Sequence, residues 1–225
     1  MKIPKSVPTR YSTREFLALL IAVFVAAPFL DQTGEGGILW SVALTVVLVS
    51  SGFAVGDSRL TRIWVLLGTA PAVLAIWLHH LFPAAVPMSI AHVLFWVFAV
   101  WVSFRLLRFV LRAKQVDGEV LAAAAATYLL AALAWGAAYI VVFDLDPKAF
   151  AFASGPSAGQ PVKGFTALYF SLSTLSTVAY GDIMPTAPAA RLLSMAEAVT
   201  GIFYMTIVVA RLVSTYSGQN SGKEP

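Results

Sequence analysis

Six long apolar runs alternate with short polar segments along the chain. They are Phe16–Leu30, Ile38–Val55, Ile63–Phe82, Met88–Phe104, Val120–Phe143 and Arg191–Tyr216. A helix needs about 20 apolar residues to cross the hydrocarbon core of a bilayer. The pattern therefore predicts an all-α membrane protein with six transmembrane helices. The first run is short, holds Pro28 and follows a basic stretch. A signal peptide has that outline, but no small-x-small cleavage pattern follows, and the run reads better as a span.

Positive charge orients the spans, because Lys and Arg stay in cytoplasmic loops. With both termini inside, Lys2, Lys5, Arg10, Arg14, Arg59, Arg62, Arg105, Arg108, Arg112, Lys114, Arg211 and Lys223 are cytoplasmic. Only Lys148, Lys163 and Arg191 fall outside. Composition agrees with this reading. Hydrophobic residues make up 59% of the 225-residue chain and charged residues 12%, whereas a soluble domain carries roughly twice that charge. Mean hydropathy is +0.82. The chain has no cysteine, which excludes disulfides, thiol catalysis and Cys-ligated metals. The net charge of +4 comes from residues beside the membrane, and no basic, aromatic-interleaved patch points to nucleic acid.

The segment between the fifth and sixth runs breaks the pattern. Asp144 to Gly164 is the longest outside loop, and Gly155, Pro156, Gly159 and Pro161 predict that it begins irregularly. Phe165–Ser176 then reads as a short apolar helix of about 12 residues, too short to span. It must enter the membrane and return. The polar, turn-prone stretch Thr174-Leu175-Ser176-Thr177-Val178-Ala179-Tyr180-Gly181-Asp182 follows it. Non-helical backbone at membrane depth survives only where protein buries it or where it lines a water-filled path. A Thr-Val-x-Tyr-Gly loop can turn successive carbonyls inward and replace the hydration shell of a cation.

In this context Phe165–Asp182 resembles the pore loop of tetrameric potassium channels, with its T-x-x-T-V-G-Y-G-D pattern. Thr174, Thr177, Val178, Tyr180, Gly181 and Asp182 match it, and Ile183-Met184-Pro185 with Arg191 resembles the start of the family's inner helix. The likeness runs from about Glu119 to Tyr216. It implies a re-entrant pore helix and a selectivity filter between helices five and six. Thr177, Val178, Ala179, Tyr180 and Gly181 would bind the permeant K+, with Gly181 in the positive φ that glycine adopts cheaply. Tyr180 would pack outward against the pore helix, Asp182 would sit at the pore mouth, and Thr174 would support the filter. One loop per chain implies a homotetramer. One position departs: Ala179 stands where the family has a glycine. Either the protein absorbs the strain of a left-handed alanine, or the local peptide turns differently.

Two residues of the last run stand out. Gly201 lies near its middle and reads equally as a gating hinge, by the resemblance, or as a packing site. Glu197 lies in its outer third. An intramembrane carboxylate is a functional residue by default, and hydrogen bonding to the pore helix behind the filter is its preferred role. The fifth run is rich in small residues such as Ala122–Ala126, which lets helices approach closely.

Residues 1–14 read as a cytoplasmic tail, 15–116 as a four-helix membrane domain, 117–216 as the pore domain and 217–225 as a disordered tail. The four-helix domain occupies a voltage sensor's position. Arg105, Arg108 and Arg112 share a helix face there, but a charge-free run precedes them and no buried acid faces them. They read as a cytoplasmic anchor. His79, His80 and His92 read as solvated interfacial residues, and Trp40, Trp64, Trp96, Trp101 and Trp135 as interface belts or helix contacts. No soluble ligand domain, enzyme site, cofactor or metal beyond permeant K+ is expected. The resemblance implies a K+ channel of the cell membrane. Small size and alanine richness lean towards a bacterial inner membrane. The alternatives are a weakly selective cation channel, owing to Ala179, and a non-conducting regulatory membrane subunit.

Overall fold

The computed structural model describes residues 13–30, 36–55, 59–83, 85–153 and 161–221. The elements in order are α1 (Thr13–Leu30), α2 (Gly36–Val55), α3 (Arg59–Leu81), α4 (Met88–Arg112), α5 (Gly118–Leu145), β1 (Phe150–Phe152), α6 (Gly164–Leu175), β2 (Ile183–Pro185) and α7 (Pro188–Ser221). Among the described residues, α1, α4, α5 and α7 are long and apolar enough to cross a membrane. Shorter apolar stretches lie within α2 and α3, at Gly37–Gly52 and Leu67–Leu81.

Sequence chemistry sets the ends of these helices. Asp117 caps α5: its carboxylate accepts from the Glu119 and Val120 amides at 3.1 and 2.9 Å, satisfying donors that a helix start leaves free. Pro87 stands before α4 in extended backbone. That helix continues past Phe104, so Arg105, Arg108 and Arg112 lie on its last turns. The start of α1 is pinned to the start of α5. The Thr13 amide and hydroxyl reach Glu119 Oε2 at 2.9 and 2.6 Å, and Arg14 Nε lies 3.2 Å from its Oε1.

One continuous apolar core joins α1 to α6. Phe16, Leu20, Val23 and Ala27 form a buried stripe on α1, at the three- and four-residue spacing of one helix face. They pack with Phe95 and Val102 of α4, Leu130 of α5 and Leu168 of α6. The small residues of α5 do what their size permits. A Cβ on Gly136 would meet the Ala167 carbonyl oxygen at 3.5 Å, so α5 and α6 run almost backbone to backbone there.

Three sequence expectations need correction. The loop from Asp144 is ordered early: β1 pairs antiparallel with β2, Phe150 opposite Pro185 and Phe152 opposite Ile183. The irregular part expected at Gly155–Gly159 lies outside the described residues. The last helix begins at Pro188 and runs through Ser221, well past Tyr216; the expected tail from 217 is therefore helical up to that point, and 222–225 lie outside the described residues. His92 is buried rather than solvated, at 7% exposure. The expected N-terminal tail lies, up to residue 12, outside the described residues.

Candidate ion pathway

The site is built on the C-terminus of α6. Four backbone amides after the helix fold back onto it. Ser176 N donates to the Leu172 carbonyl at 3.0 Å, and Thr177 N to Thr174 at 3.0 Å. Val178 N and Ala179 N both donate to Ser173, at 2.9 and 3.2 Å. These bonds satisfy carbonyls that a helix end leaves without donors. They also turn the loop's N–H side towards α6.

The carbonyl side is left open. Positive φ recurs at alternate residues: 59° at Thr177, 45° at Ala179 and 81° at Gly181, while Val178 and Tyr180 stay negative. Alternating left- and right-handed backbone sends successive carbonyls to the same side of a chain. Among the described residues, the carbonyls of Thr177 to Gly181 accept no hydrogen bond. Residues 176–181 are exposed. A row of unpaired oxygens on a fixed backbone can take cations.

Ala179 adopts the left-handed conformation itself. The sequence left open whether the chain would absorb that strain or turn the peptide differently; here the alanine takes a backbone that suits glycine. Thr177 does the same, which sequence reasoning missed, because positive φ has a strong signal only at glycine.

Aromatic and polar side chains hold the loop from outside. The Tyr180 ring stacks on Tyr169 of α6, with centroids 5.9 Å apart and planes within 8°. Burial first, and then a hydrogen bond to Asp182, raise the Tyr169 phenol above its ordinary value. Asp182 Oδ1 accepts from the Ile183 amide at 3.1 Å, and its carbonyl accepts from Ala153 N at 2.8 Å. Asp182 is thus tied both to α6 and to the β1–β2 ribbon. Thr174 contributes its carbonyl to Thr177.

Glu197 lies behind the loop and is fully buried. The Ser171 hydroxyl of α6 reaches its Oε1 at 2.6 Å, and the Tyr139 hydroxyl of α5 donates to its Oε2. Tyr139, Phe150 and Phe170 close around this group edge to face. Ser171 and Tyr139 escaped the sequence reading, since a lone hydroxyl in an apolar helix carries little signal. One clue was present: a buried acid must find donors.

Gly201 meets the end of α6. A Cβ there would lie 2.0 Å from the Leu175 carbonyl oxygen. Glycine is required by that close approach, whatever else it does. Of the histidines, His79 Nδ1 bonds the Val86 carbonyl at 2.8 Å and His80 Nε2 bonds Ser41 Oγ at 2.9 Å. Both lie away from the loop.

Residues 127–217 match a family whose description is ion channel. Over 87 residues the chain is 38% identical to two pore potassium channel c of Oryza sativa subsp. japonica. That match covers 39% of this chain and 18% of the rice protein's length. No solved structure matches the chain.

Proposed function

We propose, from the match of residues 127–217 to an ion-channel family and the partial likeness to a potassium channel, that this multi-pass membrane protein conducts K+ passively through a homotetrameric pore. The family is one of channels, not enzymes. In this reading all six long helices span, both termini are cytoplasmic and α6 is a re-entrant pore helix. Residues 15–116 flank the pore domain at 117–216. The lean towards a bacterial inner membrane belongs to the same reading.

The observation that carries it is the two-sidedness of the loop. Its amides from Ser176 to Ala179 are spent on α6, and among the described residues nothing donates to its carbonyls from Thr177 to Gly181. Four copies around one axis bring four such rows together. Successive rings of oxygens then replace the water that a cation sheds. The C-terminus of α6 carries the negative end of the helix dipole and favours a cation below the rings. Asp182 adds a carboxylate at the mouth, Thr174 and Glu197 support the filter from behind, and Gly201 lets α7 reach the base of the loop and remains the candidate hinge. No cofactor takes part beyond the permeant ion.

The backbone of Ala179 supports selective conduction over the weakly selective alternative. Its φ of 45° lies in the region that glycine would occupy, so the path of the carbonyls is kept. The test is the reversal potential of purified protein in planar bilayers, with K+ on one side and Na+ on the other. A value near the potassium equilibrium supports selective conduction. A value near zero with clear current supports the weakly selective pore. Absence of current in the wild type, with a partner's activity retained in Gly181→Ala, supports the regulatory subunit.

A further inference from the structure

Arg211 ties the inner end of α7 to the last turn of α4. Its Nε donates to the Leu111 carbonyl at 3.1 Å and its Nη2 to the Ala113 carbonyl at 3.3 Å. A helix C-terminus presents carbonyls without donors and a partial negative charge. A guanidinium, with several donors in one plane, answers both at once. From sequence, Arg211 is only one more cytoplasmic cation. The fold gives it a specific seat.

The contact does not stand alone. Tyr204, one stripe up the same face of α7, donates its hydroxyl to the Ala124 carbonyl of α5. Between the two, Val208 is buried with Val110 of α4 and Val120 of α5, and Leu212 packs against them. Residues 204, 208, 211 and 212 form one helical stripe. On the opposite side of α7, Val199, Ile202, Thr206 and Val213 are exposed. Among the described residues, the inner half of α7 is held on one flank, by its own α4 and α5.

We propose that Arg211 is a latch that sets the width of the inner entrance. The inference rests on the channel reading above. In a four-fold pore the exposed stripe of α7 faces the axis or a neighbouring copy. Bonds to α4 draw the inner end of each α7 outwards, away from the axis. The latched state is the wide one, and the four-helix domain acts on the pore through these two carbonyls.

The test uses the full chain in planar bilayers, comparing wild type, Arg211→Gln and Arg211→Lys. Arg211→Gln should lower open probability about tenfold, the scale of one hydrogen bond to a charged group. Unit conductance and reversal potential should stay unchanged, and Arg211→Lys should recover part of the loss. Because the chain has no cysteine, Ala113→Cys with Arg211→Cys can be bridged by a short bismaleimide. Bridging within one chain should restore the open probability that Arg211→Cys removes. An open probability that is unchanged or higher in Arg211→Gln, or not restored by the bridge, overturns the latch. A wild-type chain that carries no current sinks the channel reading instead. The yield of the intrachain bridge in membranes then decides the contact alone, and its absence overturns the latch.

Discussion

Ser171 Oγ lies 2.6 Å from Glu197 Oε1 and 2.7 Å from the Ala132 carbonyl oxygen. One hydroxyl proton cannot serve two acceptors. The set closes when the position-197 side chain also offers a donor, as a neutral acid or an amide does. Glu197 thereby joins α5, α6 and α7 through one side chain.

Glu197→Ala takes the carboxylate acceptor from the buried Tyr139 hydroxyl and leaves Ser171 only the Ala132 carbonyl. Each buried polar group left without a partner costs about 1–3 kcal/mol. Thermal unfolding of the purified assembly should show a large fall in melting temperature. Glu197→Gln retains a donor and an acceptor and should keep most of the stability. Equal losses in both variants would refute this account of the group.

Gly201→Ala drives a methyl into the Leu175 carbonyl, 2.0 Å from where its Cβ would stand. Overpacking of this kind costs about 1–3 kcal/mol. The displaced carbonyl belongs to the last residue of α6, next to the loop. The variant should melt earlier and its K+/Na+ reversal potential should move towards zero. Selectivity that survives intact would show that the loop does not depend on this approach.

Ala179→Gly should stabilise. Left-handed backbone costs an L-residue roughly 1–2 kcal/mol, while the extra freedom of glycine in the unfolded chain returns about 0.5–1 kcal/mol. The net gain recurs in every copy. A higher melting temperature with an unchanged reversal potential is expected, and a lower one would mean that the alanine methyl contributes packing.

Tyr169→Phe keeps the ring stacked on Tyr180 and removes only the hydroxyl that meets Asp182. The phenol is raised by burial and by this bond. For a raised value, the contribution is complete below the ordinary phenol range and fades as pH climbs through the raised value. Wild-type stability should therefore fall more than that of Tyr169→Phe at strongly alkaline pH. Parallel pH–melting curves would rule the bond out as a contributor.

The sequence reveals the features that depend on local pattern. The short apolar run before Thr177 stands out by its length alone, and Glu197 by its charge among apolar neighbours. Asp117 caps α5, and such ends are written locally. What it hides depends on distant partners. The Arg211 bonds join residues nearly a hundred positions apart. The β1–β2 ribbon pairs Phe150–Phe152 with a segment on the far side of α6, and neither strand is long enough to read alone. His92 is polar by type, yet helix packing buries it. Thr177 looks like an ordinary loop residue until the bonds from Val178 and Ala179 to Ser173 fix the turn around it.

A row of oxygens without internal partners has a thermodynamic consequence. A ligand that binds only the assembled state stabilises it by mass action, by about 2.7 kcal/mol at a hundred times its dissociation constant. On the proposed reading, the carbonyls of Thr177 to Gly181 would make the permeant cation such a ligand. The folding equilibrium then carries an ionic term: the protein should melt higher in potassium chloride than in the chloride of a bulky organic cation at equal ionic strength. On that reading, conduction and cohesion would be two readings of the same occupancy.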